Sequence, residues 1–218
     1  MGTLVLVLGY SGSGKSYSLR NLDPEAVGVL NIVGKPMPFR KKLPTADGAT
    51  YADVMQALRS NSRRLYVIDD AGYLMQFDNF ARARVTGYGK FTEMALSFEQ
   101  VLETAARATD PDTIVYVLMH PEADEAGNLK PKTIGKMLDQ QLCVEGMAPI
   151  VLVCEVNRDG YWFRTNGGGI EKSPPGMFES DLIPNDLAEV DKAIRGFYGM
   201  EPARIEKKAT KEKGARNA

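Results

Sequence analysis

The chain has 218 residues, 27 Lys and Arg against 28 Asp and Glu, and a formal net charge of −1. That length suits one α/β domain with a substantial core and small appendages, and leaves no room for a second full domain. Near-neutrality excludes a protein whose global field draws in nucleic acid, so any such partner has to be held by local patches. Cys143 and Cys154 lie in apolar surroundings without Cys-x-x-Cys spacing, and His120 is the only histidine, which argues against a disulfide scaffold and a zinc site. The N-terminus shows no basic leader before a long apolar segment, and no run approaches the roughly 18 residues needed to span a bilayer. The expectation is a cytoplasmic protein without membrane association.

In chain order, Leu4-Val5-Leu6-Val7-Leu8 predicts a buried strand, and Gly9-Tyr10-Ser11-Gly12-Ser13-Gly14-Lys15-Ser16 follows it directly. This is the G-x-x-x-x-G-K-[ST] pattern. Its glycines let successive backbone N–H groups turn inward around a nucleotide's phosphates, and a helix predicted near residues 15–22 directs its positive end at them. Lys15 is placed to reach the β- and γ-phosphates and the Ser16 hydroxyl to hold Mg²⁺, so ATP and Mg²⁺ are the implied ligands. A Gly/Ser-rich turn that happens to contain Lys and Ser is the competing reading, and the flanking strand and helix pattern argue against it.

Further strands are predicted near 27–33, 65–69, 113–119 and 149–155, and helices near 50–60, 92–109 and 186–196. The alternation predicts a mostly parallel sheet covered by helices on both faces. Tyr161-Trp162-Phe163, after the Asn157-Arg158-Asp159-Gly160 turn, completes a late hairpin with the preceding strand. Residues 35–45, 76–90 and 167–176 read as loops or arms. Residues 1–200 form the expected ATP-binding domain and 201–218 a basic tail. The excess of Lys and Arg in that tail reads as a solvated end ahead of a nucleic-acid arm.

Leu65-Tyr66-Val67-Ile68-Asp69-Asp70 is an apolar strand ending in two acids, the place for a Mg²⁺-coordinating carboxylate in a phosphate-loop protein. Asp69 is the candidate for that role. Asp70 either orients or deprotonates the attacking water, or caps the next turn. His120 ends the strand near 113–119. As a lone histidine it reads as a packed strand end, but its position also suits a sensor of the γ-phosphate that relays to residues 122–136. Arg82, Arg84 and Lys90 interleave with Phe77, Phe80, Tyr88 and Phe91, a mixture suited to single-stranded DNA. Packing of those aromatics onto the sheet is the leading alternative. Arg40, Lys41 and Lys42 add a second basic cluster.

The order of phosphate loop, acid pair, polar strand end and late hairpin is similar to that of the RecA-like ATPase core. More closely, Asn31-Ile32-Val33-Gly34-Lys35-Pro36-Met37-Pro38-Phe39, Val67-Ile68-Asp69-Asp70, Gly87-Tyr88-Gly89-Lys90-Phe91, Lys132-Thr133-Ile134-Gly135-Lys136-Met137-Leu138-Asp139 and Lys172-Ser173-Pro174 resemble phage-encoded ATP-binding proteins of the AAA/RecA superfamily, a group similar to minimal-RecA single-strand annealing proteins. The resemblance covers about residues 2–198. It implies ATP bound between subunits of a homo-oligomeric ring or filament, single-stranded DNA as partner, a role in phage recombination or replication, and the host cytoplasm. It also implies a cation from the neighbouring subunit, for which Lys132, Lys136 and Lys172 are candidates beside a reading as solvated charge. The RecA core carries a glutamate near the end of its second strand. Here that stretch is Leu30-Asn31-Ile32-Val33-Gly34-Lys35, which implies a slow ATPase with Asp70 as substitute base, or a nucleotide-gated binder. The alternatives are a phosphate-loop kinase of a small acceptor and a non-hydrolysing, nucleotide-dependent assembly protein.

Overall fold

The computed structural model describes residues 1–204, apart from the side chains of Lys136, Asp139 and Gln140. The basic tail beyond 204 lies outside the described residues. The strands are β1 (Thr3–Leu8), β2 (Val27–Asn31), β3 (Thr45–Asp47), β4 (Leu65–Asp69), β5 (Ile114–Met119), β6 (Pro121–Ala123), β7 (Leu129–Pro131), β8 (Ile150–Asn157), β9 (Gly160–Arg164) and β10 (Leu182–Pro184). The helices are α1 (Tyr51–Ser60), α2 (Gly72–Ala81), α3 (Gly89–Glu103), α4 (Lys136–Gln141), α5 (Val144–Met147) and α6 (Leu187–Tyr198).

Among the described residues, eight strands form one sheet in the order β10-β9-β8-β1-β5-β4-β2-β3. From β3 across to β8 every neighbouring pair is parallel, and β9 and β10 close the far edge antiparallel. The expected mostly parallel α/β sheet with a late hairpin is therefore what the chain forms. Residues alternate strictly between its faces, as a period of two requires. Leu4, Leu6 and Leu8 of β1 join α1, α2 and α3 in one apolar core. Val5 and Val7 join Leu19, Leu22 and the Leu187, Val190 and Ile194 stripe of α6 in the other. Both faces are thus covered, which is why the central strands read as unbroken apolar runs.

Four local results differ from expectation. The segment after the phosphate loop is not an α-helix but a six-residue 3-10 helix, Ser16–Asn21. It stops because Pro24 excludes Asp23 from the helical region, and Asp23 instead accepts the Glu25 N–H at 2.9 Å. The stretch 76–90, read as an arm, begins inside α2, whose Leu74 and Met75 are buried. Its turn into α3 is tied by Arg82, which pairs with Asp78 at 2.7 Å and Glu93 at 2.5 Å. Finally, Pro121–Ala123 and Leu129–Pro131 pair as a small antiparallel hairpin that the sequence did not signal. α3 also starts earlier than expected and runs on through a π-helical turn, Thr104–Ala108. By contrast, α1 carries a full capping box: Thr50 accepts the Asp53 N–H, and Asp53 accepts the Thr50 N–H at 2.8 Å.

Arg195 of α6 locks the lower edge of the sheet. Its guanidinium, buried against Asp191 at 2.7 Å, also donates to the carbonyls of Arg64, Asp112 and Glu201. Removing it would strand a buried carboxylate and three carbonyls. Arg195→Met is expected to lower unfolding free energy by about 3–5 kcal/mol, whereas Lys192→Met, on the exposed face of the same helix, changes it by no more than about 0.5 kcal/mol. Urea unfolding of the two variants checks this, and equal effects would show the buried network to be unimportant.

Candidate functional site

β1, β5 and β4 lie side by side and parallel, so their carboxyl ends bring Gly9, His120 and Asp69-Asp70 to one edge of the sheet. Ligands of open α/β sheets bind at such an edge. The Gly9 N–H donates to the Met119 carbonyl at 3.2 Å, joining the phosphate loop directly to the strand that ends in His120.

The loop is shaped by contacts that tolerate no side chain. A Cβ on Gly9 would lie 2.2 Å from Ser13 Oγ and 2.8 Å from Cys154 Cβ. Gly14 adopts φ +97°, and a Cβ there would meet the Tyr161 ring at 2.8 Å. The backbone is therefore held tightly against β8 and β9. From the other side, Arg20 stacks over Tyr17 at 4.3 Å and donates to the Asn185 carbonyl at 2.6 Å, while Asn21 donates to Asp186 at the start of α6.

Within the loop, Lys15 is buried and donates to the carbonyls of Gly9 at 2.7 Å and Tyr10 at 3.1 Å. Burial pulls its ammonium below the usual lysine range, opposed chiefly by Asp70. Ser16 Oγ donates to Asp69 Oδ1 at 3.0 Å. Burial, reinforced by the neighbouring Asp70, raises the Asp69 carboxyl to about 6. A hydroxyl and a buried carboxylate side by side form a hard oxygen donor set, and a carboxylate kept this reluctant to ionise gains most from a cation. Both features fit Mg²⁺.

Asp70 is buried in a left-handed conformation, φ +59°, at the turn from β4 into α2. Its carboxylate does not cap α2, whose N-terminus carries no side-chain cap. Instead it receives Lys35 Nζ at 2.5 Å and lies 3.4 Å from His120 Nε2. Burial and the charge of Lys15 hold the imidazole below its ordinary range despite the attraction of Asp70, so His120 is neutral at pH 7. The ring stands edge-on to Tyr73, and the His120 carbonyl accepts the Lys132 N–H at 2.9 Å where the β6–β7 hairpin closes.

Lys35 was not singled out from the sequence as a site residue. Its backbone is set by Asn31, a buried side chain at the end of β2. Asn31 accepts the Gly34 N–H at 3.0 Å and donates to the Lys35 carbonyl and to Asp47, each at 2.8 Å. The short run Gly34-Lys35-Pro36 carried a usable signal, since the glycine takes φ +73° and turns the lysine back over the strand ends.

The remaining candidates are scattered. Lys132 borders His120 within the same chain, Lys136 opens α4, and the Lys172 backbone pairs with Val151 of β8 at 2.8 and 3.0 Å. Lys41 is tied to the Leu22 carbonyl at 2.7 Å, with Arg40 and Lys42 exposed. Of the patch at 77–91, Arg82 is engaged by Asp78 and Glu93, Lys90 lies over Phe91 at 4.9 Å, and Arg84 is exposed. The leading expectation for its aromatics fails. Phe91 packs on the core, but Phe77 is 48% exposed, Phe80 76% and Tyr88 90%. Phe77 and Phe80 lie on α2 beyond its buried Leu74 and Met75, and Tyr88 lies in the turn just before α3.

No family model matches the sequence, and no curated protein does. Among solved structures the chain is similar to an ATPase from the type III secretion system of pathogenic bacteria, with 14% identity and a TM-score of 0.47 over 73% of this chain and 52% of that one. The chain thus spans about half the length of that protein. No helix among the described residues is long and apolar enough to cross a membrane.

The raised carboxyl of Asp69 has a pH signature. Its folded-state value of about 6 exceeds the ordinary 3.8, so the native state holds the extra proton between them, and stability from this group falls as pH rises across that window. Above it the penalty is constant. Asp69→Asn removes the charge, so the ligand-free variant should exceed the parent in stability by about 2–3 kcal/mol at pH 8, with the difference vanishing near pH 4. Urea unfolding at the two pH values tests this, and a pH-independent difference would refute the buried-charge account.

Proposed function

We propose that this chain is a RecA-like ATP-binding protein and slow ATPase that acts on single-stranded DNA as a homo-oligomer, in phage recombination or replication within the host cytoplasm. The hydrogen bond from Ser16 to Asp69 at 3.0 Å carries the nucleotide reading. It joins the hydroxyl of the phosphate loop to a buried acid two strands away, and a fortuitous Gly/Ser turn has no reason to meet such an acid.

In this reading Lys15 exchanges the Gly9 and Tyr10 carbonyls for phosphate oxygens, and Ser16 and Asp69 hold Mg²⁺. The metal, when bound, neutralises charge on the phosphates. Asp70 orients the attacking water and takes its proton. His120 senses the γ-phosphate and, through its carbonyl bond to Lys132, passes the change to the β6–β7 hairpin. Lys132, Lys136 and Lys172 are the cations offered across a subunit boundary. Exposed Phe80 and Tyr88 beside Arg84 support the DNA reading, because solvent-facing rings next to cations stack on bases while the charges meet phosphates. A second reading, a nucleotide-gated assembly protein without turnover, is favoured by Asn31 standing where a catalytic carboxylate is absent.

Equilibrium binding and turnover of ATP-Mg²⁺ separate these readings. Lys15→Ala is expected to lose at least about tenfold in affinity, given the worth of a charge-assisted hydrogen bond to phosphate. Asp70→Asn tolerates the left-handed backbone and should bind ATP while turnover falls about 100-fold or more. A near-normal rate would remove Asp70 from the chemistry, and parent protein that binds ATP without turnover would favour the assembly reading.

Single-strand binding is tested separately. With ATP present, Phe80→Ala and Tyr88→Ala should each weaken binding by about 1–3 kcal/mol, and the affinity should fall steeply with salt. Absence of single-strand affinity at low salt would end the DNA hypothesis.

A further inference from the structure

Among the described side chains that bond to or pair with Asp69 and Asp70, Lys35 is the one that comes from neither residues 9–16 nor the ends of β4 and β5. Its backbone is fixed and its head group is not. Asn31, 1% exposed, grips the loop on both sides of the lysine, accepting the Gly34 N–H and donating to the Lys35 carbonyl. The side chain itself is 55% exposed along its length and ends on Asp70, which is 2% exposed. An ammonium anchored in this way can leave its partner by rotating bonds alone, without any backbone motion.

The charge around it gives a reason to leave. Asp69 and Asp70 are adjacent and buried, and in the absence of nucleotide their charge is answered by Lys35 and by Lys15. A bound triphosphate with its metal changes that balance. The cation takes over the compensation of the acids, and the phosphates offer Lys35 a denser negative charge than one carboxylate. The site also needs the cation. Ser16–Asn21 is a 3-10 helix of six residues, so it supplies little of the macrodipole that a long helix would aim at the phosphates.

We propose that Lys35 is a specificity-determining cation, supplied from within the same chain, that pairs with Asp70 in the empty site and moves to the terminal phosphate when ATP binds. The inference rests on the reading of residues 9–16 as a nucleotide site. ADP lacks the terminal phosphate and leaves Lys35 on Asp70, so the lysine discriminates between the two nucleotides. The same movement uncovers the Asp70 carboxylate beside His120 only when a third phosphate is present.

The test is the ratio of ATP to ADP affinity, measured with Mg²⁺ for the parent, Lys35→Ala, Lys35→Arg and Lys42→Ala, the last an exposed cation on the same loop. The parent should prefer ATP. Lys35→Ala should lose about tenfold or more of that preference through weaker ATP binding, with ADP affinity retained, since one charge-assisted hydrogen bond is at stake. Lys35→Arg should restore most of it, and Lys42→Ala should match the parent. A merely structural ion pair predicts a lower unfolding temperature for Lys35→Ala with the ratio unchanged, and that result overturns the proposal while leaving the nucleotide site intact. Failure of the parent to bind either nucleotide overturns the nucleotide reading and the role of Lys35 together.

Discussion

Two adjacent carboxylates buried at the end of one strand are the constraint around which this molecule is arranged. Asp69 and Asp70 are both 2% exposed, and two like charges so placed are tolerated only if other groups answer them. The answers come from separate parts of the chain: Ser16 from the phosphate loop, Lys35 from the β2–β3 connection and His120 from the end of β5. The parallel order of β1, β5, β4 and β2 is what allows this, because it lines up four strand ends within side-chain reach. A fold with β4 at the sheet edge would leave at least one acid without a neighbour. The site is therefore not an addition to the sheet but a consequence of its strand order.

The late part of the chain supports the same site from behind. β9 and β10 extend the sheet, and Tyr161 presses on Gly14 while Asn185 and Asp186 hold Arg20 and Asn21. A six-residue 3-10 helix has few hydrogen bonds of its own, so its stability rests on this packing. The late hairpin is thus the backing of the loop at residues 9–16. α6, which delivers Asp186, is itself secured to the opposite end of the sheet by Arg195, so the loop is braced through the full thickness of one layer.

What the sequence made legible follows from how local each signal is. The runs around Val5, Val67 and Val117 announce buried parallel strands, and the glycines of 9–16 announce a tight loop between β1 and the helical turn at Ser16–Asn21, because each pattern is complete within a few residues. That Asp69 ends a buried strand was legible because this place is itself local. Lys35 was not, since its meaning comes from Asp70, 35 positions away, and from Asn31, which reads as an ordinary strand residue until its three hydrogen bonds are seen. The aromatics near Phe80 misled for the opposite reason. Their spacing fits a buried helical stripe, but α2 buries Leu74 and Met75 and leaves Phe77 and Phe80 toward solvent, while Tyr88 lies exposed in the turn beyond Arg82.

Asn31 shapes the end of β2 through bonds that an amide can make and a carboxylate cannot. A carboxylate at this position would repel Asp47, which Asn31 instead bonds at 2.8 Å, and it has no N–H to give the Lys35 carbonyl. The amide both accepts from Gly34 and donates twice, and these bonds hold the turn from which Lys35 reaches Asp70. The acid that this lysine meets stands instead at the end of β4, where Asp70 pairs with Lys35 and lies 3.4 Å from His120.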